Sequence, residues 1–163
     1  MAQKKKSTKE RGKYKEYITK ALFQSEDIRK LLIGDLDGLS ANDIRVKFKD
    51  HVKSHLFIDD TIEETESFVF YDINMPSLRA NTKSCTVVLF AICHRDILDN
   101  YSNADYPGNR ADALSQMIED CLLNDTELAN KFGIGELFLD SVNIYNSNHF
   151  YGCIMEFDIH NFR

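Results

Sequence analysis

The sequence predicts an α+β domain: a small, mostly antiparallel sheet with an N-terminal helix and one long helix packed across it. Three stretches carry that reading. Cys85 to Cys93 reads CTVVLFAIC, an apolar run rich in β-branched residues, as a buried strand would be. Arg110 to Leu123 reads RADALSQMIEDCLL and sets Ala111, Leu114, Ile118, Cys121 and Leu122 along one stripe at helical spacing. Two more strand-like runs follow, Leu137 to Tyr145 and Phe150 to Ile159. In the second, Tyr151, Cys153, Met155, Phe157 and Ile159 alternate with Gly152, Ile154, Glu156 and Asp158.

The remaining elements follow in chain order. Residues 1–12 are polar, charged and without periodicity, which predicts a disordered basic arm; residues 13–163 then form a single domain. From Lys13 to Ile33, Tyr14, Tyr17, Ile18, Ala21, Leu22, Ile28, Leu31 and Leu32 recur at three- and four-residue steps. This is an amphipathic helix broken near Gln24-Ser25, where Ser25 with Glu26 and Asp27 caps a second short helix. Gly34 and Gly38 end it in a turn. Asp43 to Ile58 fits two templates. Ile44, Val46 and Phe48 alternate like a strand, while Ile44, Phe48, Val52 and Leu56 step by four like a helix.

Glu63 to Ser67 reads as an acidic loop and Phe68 to Ile73 as a short strand. Asn74 to Lys83 is polar and contains Pro76, which predicts a ten-residue hairpin loop of the kind that carries contacts. The Cys85–Cys93 strand is apolar on both faces and so needs two covers. One is the long helix; the other is the first helix or a neighbouring subunit. The predicted sheet core is Val87, Val88, Leu89, Phe90, Ile92, Leu137, Leu139, Ile154, Met155 and Phe157, with Leu114 and Ile118 from the helix.

Composition excludes several classes of function. Hydrophobic content of 43% and charged content of 28% are those of a water-soluble globular chain. No apolar stretch approaches a bilayer span, and the N-terminus lacks the apolar core of a signal peptide, so no membrane is expected. The four cysteines fall inside apolar patterns without a CxxC pair, as buried free thiols do. Net charge is −6, but the first fifteen residues hold seven basic groups against Glu10 alone. Lys4, Lys5, Lys6, Lys9 and Arg11 form an arm able to face nucleic acid or an acidic partner. The alternative is a solvated terminus.

Candidate chemistry is sparse. His51 and His55 stand four apart, but Val52 occupies the place of the glutamate in a zinc protease motif, so exposed histidines are expected there. His94 and Asp96 follow the central strand, with Asp99, Asp105 and Asp112 near in sequence. They would serve a small metal-dependent hydrolase, the alternative function; a satisfied polar cap is the simpler expectation. Ser84, Ser115 and Ser141 lack the GxSxG context of a nucleophile elbow. Gly133-Ile134-Gly135 precedes a strand rather than a helix, and so is no phosphate loop. The aromatics at strand spacing lack the interleaved basic residues of a base-stacking platform. No catalytic residue, cofactor or metal is expected.

Read as one string, the parts resemble the tail terminator proteins (tail-completion, neck and head–tail joining proteins) of long-tailed bacteriophages. YKEYITKALF and DIRKLLI match the N-terminal helix, and FVFYDINMPSLRANTKSCTVVLFAIC the hairpin and central strand. PGNRADALSQMIEDCLL matches the cross-sheet helix; ELFLDSVNIYN with FYGCIMEFDIHNFR matches the closing hairpin. The basic arm and the insert from Gly34 to Glu66 lie outside the minimal pattern. The resemblance implies a non-enzymatic virion protein, assembled in the host cytoplasm into a ring, commonly of six copies, at the neck. Its partners would be the tail tube protein and the head connector or adaptor proteins, with DNA passing through the ring. A ring needs heterologous surfaces. The expected interface set is Met75, Leu78, Arg79 and Lys83, on the long loop, with acidic groups of the neighbouring copy as complements.

Overall fold

The computed structural model describes residues 7–56, 64–78, 82–125, 127–128 and 137–162. In chain order it contains helices α1 (Ser7–Gln24), α2 (Glu26–Ile33) and α3 (Ala41–His51), then strands β1 (Val52–Lys53), β2 (Ser67–Leu78) and β3 (Thr82–His94). Helix α4 (Arg110–Asn124) and strands β4 (Leu137–Asn146) and β5 (Phe150–Phe162) complete it. The α+β class holds. The sheet order is β1-β2-β3-β5-β4, antiparallel throughout except for the short parallel pairing of β1 with β2.

Local chemistry places the helix starts. Ser25 accepts from the Ile28 N–H at 3.3 Å and opens α2. Gly34, at φ 97°, closes it in a conformation that side-chain-bearing residues avoid. Reciprocal capping boxes open α3 (Ser40 with Asp43) and α4 (Asn109 with Asp112), each satisfying two otherwise orphaned N–H groups.

Three expectations change. The arm is helical from Ser7, because Arg11 has a partner: its Nε donates to the Ile73 carbonyl at 2.7 Å, and its guanidinium pairs with Asp72. The ambiguous segment is helix and then strand, since the Ser40–Asp43 box starts α3 and β1 then takes its two residues into the sheet. The ten-residue loop is mostly paired strand. Register runs through Ser77↔Ser84 and Leu78↔Lys83, with a shift between Asn74 and Ser77 that takes in Pro76. A proline, which has no N–H to give to the ladder, is accommodated at that irregularity, as it is at bulges.

All four described helices contribute to one core with the same face of the sheet. Ile18, Leu22, Ile28, Phe48, Leu114 and Ile118 pack with Val69, Tyr71, Val87, Leu89, Met155 and Phe157. The first helix therefore shares its face with α4 and does not cover the other. Accordingly Val88, Phe90 and Ile154, expected in the core, are only half-buried. Leu139 is half-buried as well, on edge strand β4.

Candidate subunit-interface surface

Strand alternation puts Phe68 and Phe70 of β2, Val88, Phe90 and Ile92 of β3, Phe150 and Ile154 of β5, and Tyr145 of β4 on the face without helices. Part of this set forms a second apolar cluster. Phe68 stacks on Phe70 at 5.7 Å and meets Phe150 edge-on at 5.8 Å, with Ile92 buried beside them. Phe90 meets Tyr145 edge-on at 5.6 Å. Their strands are separated by β5, about 9–10 Å in all. The rings can lean together because Gly152, which pairs with both Ile92 and Tyr145, places no side chain between them. A Cβ on Gly152 would stand 1.9 Å from the Ala91 carbonyl oxygen and 2.8 Å from the Ile92 Cα. The tight approach of β5 to β3 therefore requires glycine.

Further along the strands this face becomes polar. Thr86 donates to Asp158 at 2.8 Å, and Ser141 donates to Glu156 at 3.2 Å. β4 ends the sheet, so its outer row of N–H and C=O groups has no neighbouring strand among the described residues. It also carries exposed apolar groups: Phe138 on the open face, and Val142 and Ile144 on the helix side beyond α4, with Ile144 76% exposed. An edge strand of this length and texture pairs readily with another chain; the register shift at Leu139–Ser141 and the exposed Asp140 within it guard it locally.

The residues singled out from sequence scatter. Met75 is half-buried against the helix-side core. Leu78 and Lys83 are register partners at the hairpin end. Arg79, Lys4, Lys5 and Lys6 lie outside the described residues, as does the Gly133–Gly135 turn. Lys9 is exposed near the start of α1, whereas Arg11 is engaged within the chain. Lys15 joins it at Asp72, at 2.8 Å. Burial alone would raise the Asp72 pKa. The Lys15 bond, the Ile73 N–H and the charges of Lys15 and Arg11 outweigh it and hold the carboxyl below its usual value.

His94 is buried. Its Nδ1 accepts from the Asp96 N–H at 3.1 Å, capping the 3-10 turn Arg95–Ile97, and its ring stacks on His149 at 6.0 Å. Asp112 belongs to the α4 capping box. No group of three His, Cys, Asp or Glu side chains among the described residues is arranged to hold a metal ion. His51 is buried rather than exposed. Its Nδ1 lies 2.8 Å from the Ser67 carbonyl and its ring stacks on Phe68, because α3 delivers it directly into the β1–β2 pairing.

A groove of about 720 Å³ between α1 and α3 was not anticipated. It is lined by Lys15, Lys20, Phe23, Arg45, Phe48 and Lys49 among others. The four-residue step through Ile44, Phe48 and Val52 was the available signal for it.

The YomW family model matches residues 25–159. Neither the curated proteins nor the solved structures contain a match to the chain.

Proposed function

Because the chain belongs to the YomW family, whose name is of a phage-derived, prophage type, we propose that it is a structural subunit of a phage neck. In this reading copies form a ring, of six in the commonest arrangement. The ring terminates the tail tube and joins it to the head connector or adaptor, with DNA passing through. Assembly takes place in the host cytoplasm.

The observation that carries the reading is the one-sided helical layer. It leaves half-buried Val88, Phe90 and Ile154 on the opposite face and an exposed apolar edge at β4. Contiguous apolar surface of this kind marks interaction sites, and burying it at about 25 cal/mol per Å² favours association. Leu78 and Lys83 at the hairpin end, and Arg79 next to them in sequence, are proposed as a further contact with the neighbouring copy. The reading gives His94 and Asp96 a capping role and assigns no catalysis.

Light scattering on a sizing column and negative-stain microscopy test it together. Rings several subunits in size are expected, with β4 or the open face at the contact. A monomer at high micromolar concentration overturns the reading. Deleting Leu78–Asn81 should weaken assembly; rings unchanged by it remove the hairpin end from the interface.

A further inference from the structure

The helical layer is divided by charge. α1 carries Lys9, Arg11, Lys13, Lys15 and Lys20 against Glu10 and Glu16, and with α3 it lies over the β1–β2 half of the sheet. From Arg110 to Leu128 the order reverses: Arg110 stands against Asp112, Glu119, Asp120, Asp125 and Glu127. Arg110 is itself engaged, donating to the Ile97 carbonyl at 3.1 Å and lying over the Tyr101 ring. α4 packs over the β3–β5–β4 half.

Each half also holds one apolar feature of matching sign. The α1–α3 groove has Phe23 and Phe48 in its lining, their rings edge-on at 5.1 Å, and Lys15, Lys20, Arg45 and Lys49 around them, with Glu16 as the one carboxylate among the described residues that line it. A further cation, Arg29, lies over the Phe23 ring at 5.3 Å. On α4 the solvent side presents Leu123, 38% exposed. Glu119 and Asp120 stand four and three residues before it, so they flank it on the helix surface. One half presents an apolar hollow with a cationic rim; the other presents an apolar knob with an anionic rim.

We infer that the α1–α3 groove receives the outer side of α4 from a second copy of this chain, with Leu123 against Phe23 and Phe48. Glu119 and Asp120 then face Lys20, Arg45 and Lys49. The inference rests on the assembly reading above and adds to it a second contact, made by the helical layer, beside the one expected at β4 and the open face. The two patches are different and occupy different halves of the sheet. Their contact is therefore head-to-tail, the kind that closes into a ring when the rotation permits. The rim charges fix partner and register, while the apolar contact supplies the affinity. A second copy suits the groove better than a DNA duplex does, because α4 brings the exposed Leu123 for the Phe23 and Phe48 rings together with its carboxylates, whereas a duplex backbone brings charge alone.

Charge reversal tests this. One variant carries Lys20→Glu, Arg45→Glu and Lys49→Glu; the other carries Glu119→Lys and Asp120→Lys. Each alone should raise the concentration needed for half-assembly by about a hundredfold. An equimolar mixture should restore assembly, because each variant's altered surface then faces its complement. Adding about 0.5 M NaCl should weaken wild-type assembly and the mixture alike. If wild type assembles and both variants assemble equally well, the mating surfaces are wrong while the assembly reading stands. Failure of the mixture to reassemble also overturns the pairing. A monomeric wild type overturns both. Circular dichroism checks that the variants are folded; should either be unfolded, Leu123→Lys replaces it, and unchanged assembly of that variant overturns the proposal. Loss of binding to a DNA duplex by the first variant, with assembly intact, would reassign the groove to nucleic acid.

Discussion

The two faces of the sheet are made by the same strands, yet they are finished differently. On one, Val69, Tyr71, Val87, Leu89, Met155 and Phe157 lie under four helices and are almost wholly removed from water. On the other, burial comes from rings packed on one another, Phe68 with Phe70 and Phe150, and it fades to half-buried Val88, Phe90 and Ile154. A strand sequence apolar on both sides is thus no guarantee that one chain covers both. The covered face holds the fold; the other keeps apolar side chains that the described chain only half buries.

Leu89 and Phe90 are adjacent in β3 and give the sharpest contrast. Leu89→Ala should cost about 2–5 kcal/mol, because the cavity lies under packed helices. Phe90→Ala should cost less in the monomer and show its main effect on assembly. Equal losses of denaturation midpoint, with assembly unaffected, would erase the distinction between the faces.

Gly152 comes next. Gly152→Val forces a side chain against the β3 backbone and separates Phe90 from Tyr145, so a loss of about 1–3 kcal/mol is expected. A variant melting like wild type would mean that β5 lies further from β3 than described.

At the open edge of β2, the Arg11–Asp72–Lys15 cluster is partly exposed, and its contribution should be about 1 kcal/mol or less. The folded Asp72 pKa lies below its ordinary 3.8. The stabilisation is therefore complete above that value and lost as pH falls through the depressed one. Asp72→Asn should flatten the acid limb of the stability curve. An unchanged limb would show that the cluster does not anchor α1.

The smallest effect is kinetic. Burial pushes the Cys85 and Cys93 thiols up to about 12 and Cys121 to about 11, and it raises Cys153 as well. Cys85, Cys93 and Cys153 point to the helix side of the sheet, and Cys121 lies on α4 and donates to the Ala21 carbonyl. Iodoacetamide at mildly alkaline pH should label buried Cys85 and Cys93 only as the helices lift away, and half-buried Cys121 and Cys153 sooner. Rapid labelling of Cys85 and Cys93 in the folded chain would mean the covered face is open.

Much of this architecture was legible from residue order. The runs Arg110–Leu123 and Phe150–Ile159 have one period each, and period decides helix or strand locally; Cys85–Cys93, apolar on both faces, is marked as strand by its length and β-branched residues. The cap at Ser25 was readable because a short polar side chain before an acidic turn meets its own backbone. The matching signal at Ser40 and Asp43 lay in the sequence too, but the mixed pattern beyond it left the segment open. Nothing local told that His51 would be buried: β1 is two residues long, too short to show a period, and its partner β2 lies beyond an acidic stretch.

The sequence by itself determined which residues alternate, which form stripes, and that one strand is apolar on both faces. Only the tertiary structure decided that every described helix covers the same face, and that Lys20 and Arg45 share a groove. It also decided that Gly152 must have no side chain. The reason is physical. Periodicity states that a segment has an apolar side, because that depends on the turn per residue. Which surface receives that side depends on contacts between residues far apart in the chain, and no local pattern encodes them.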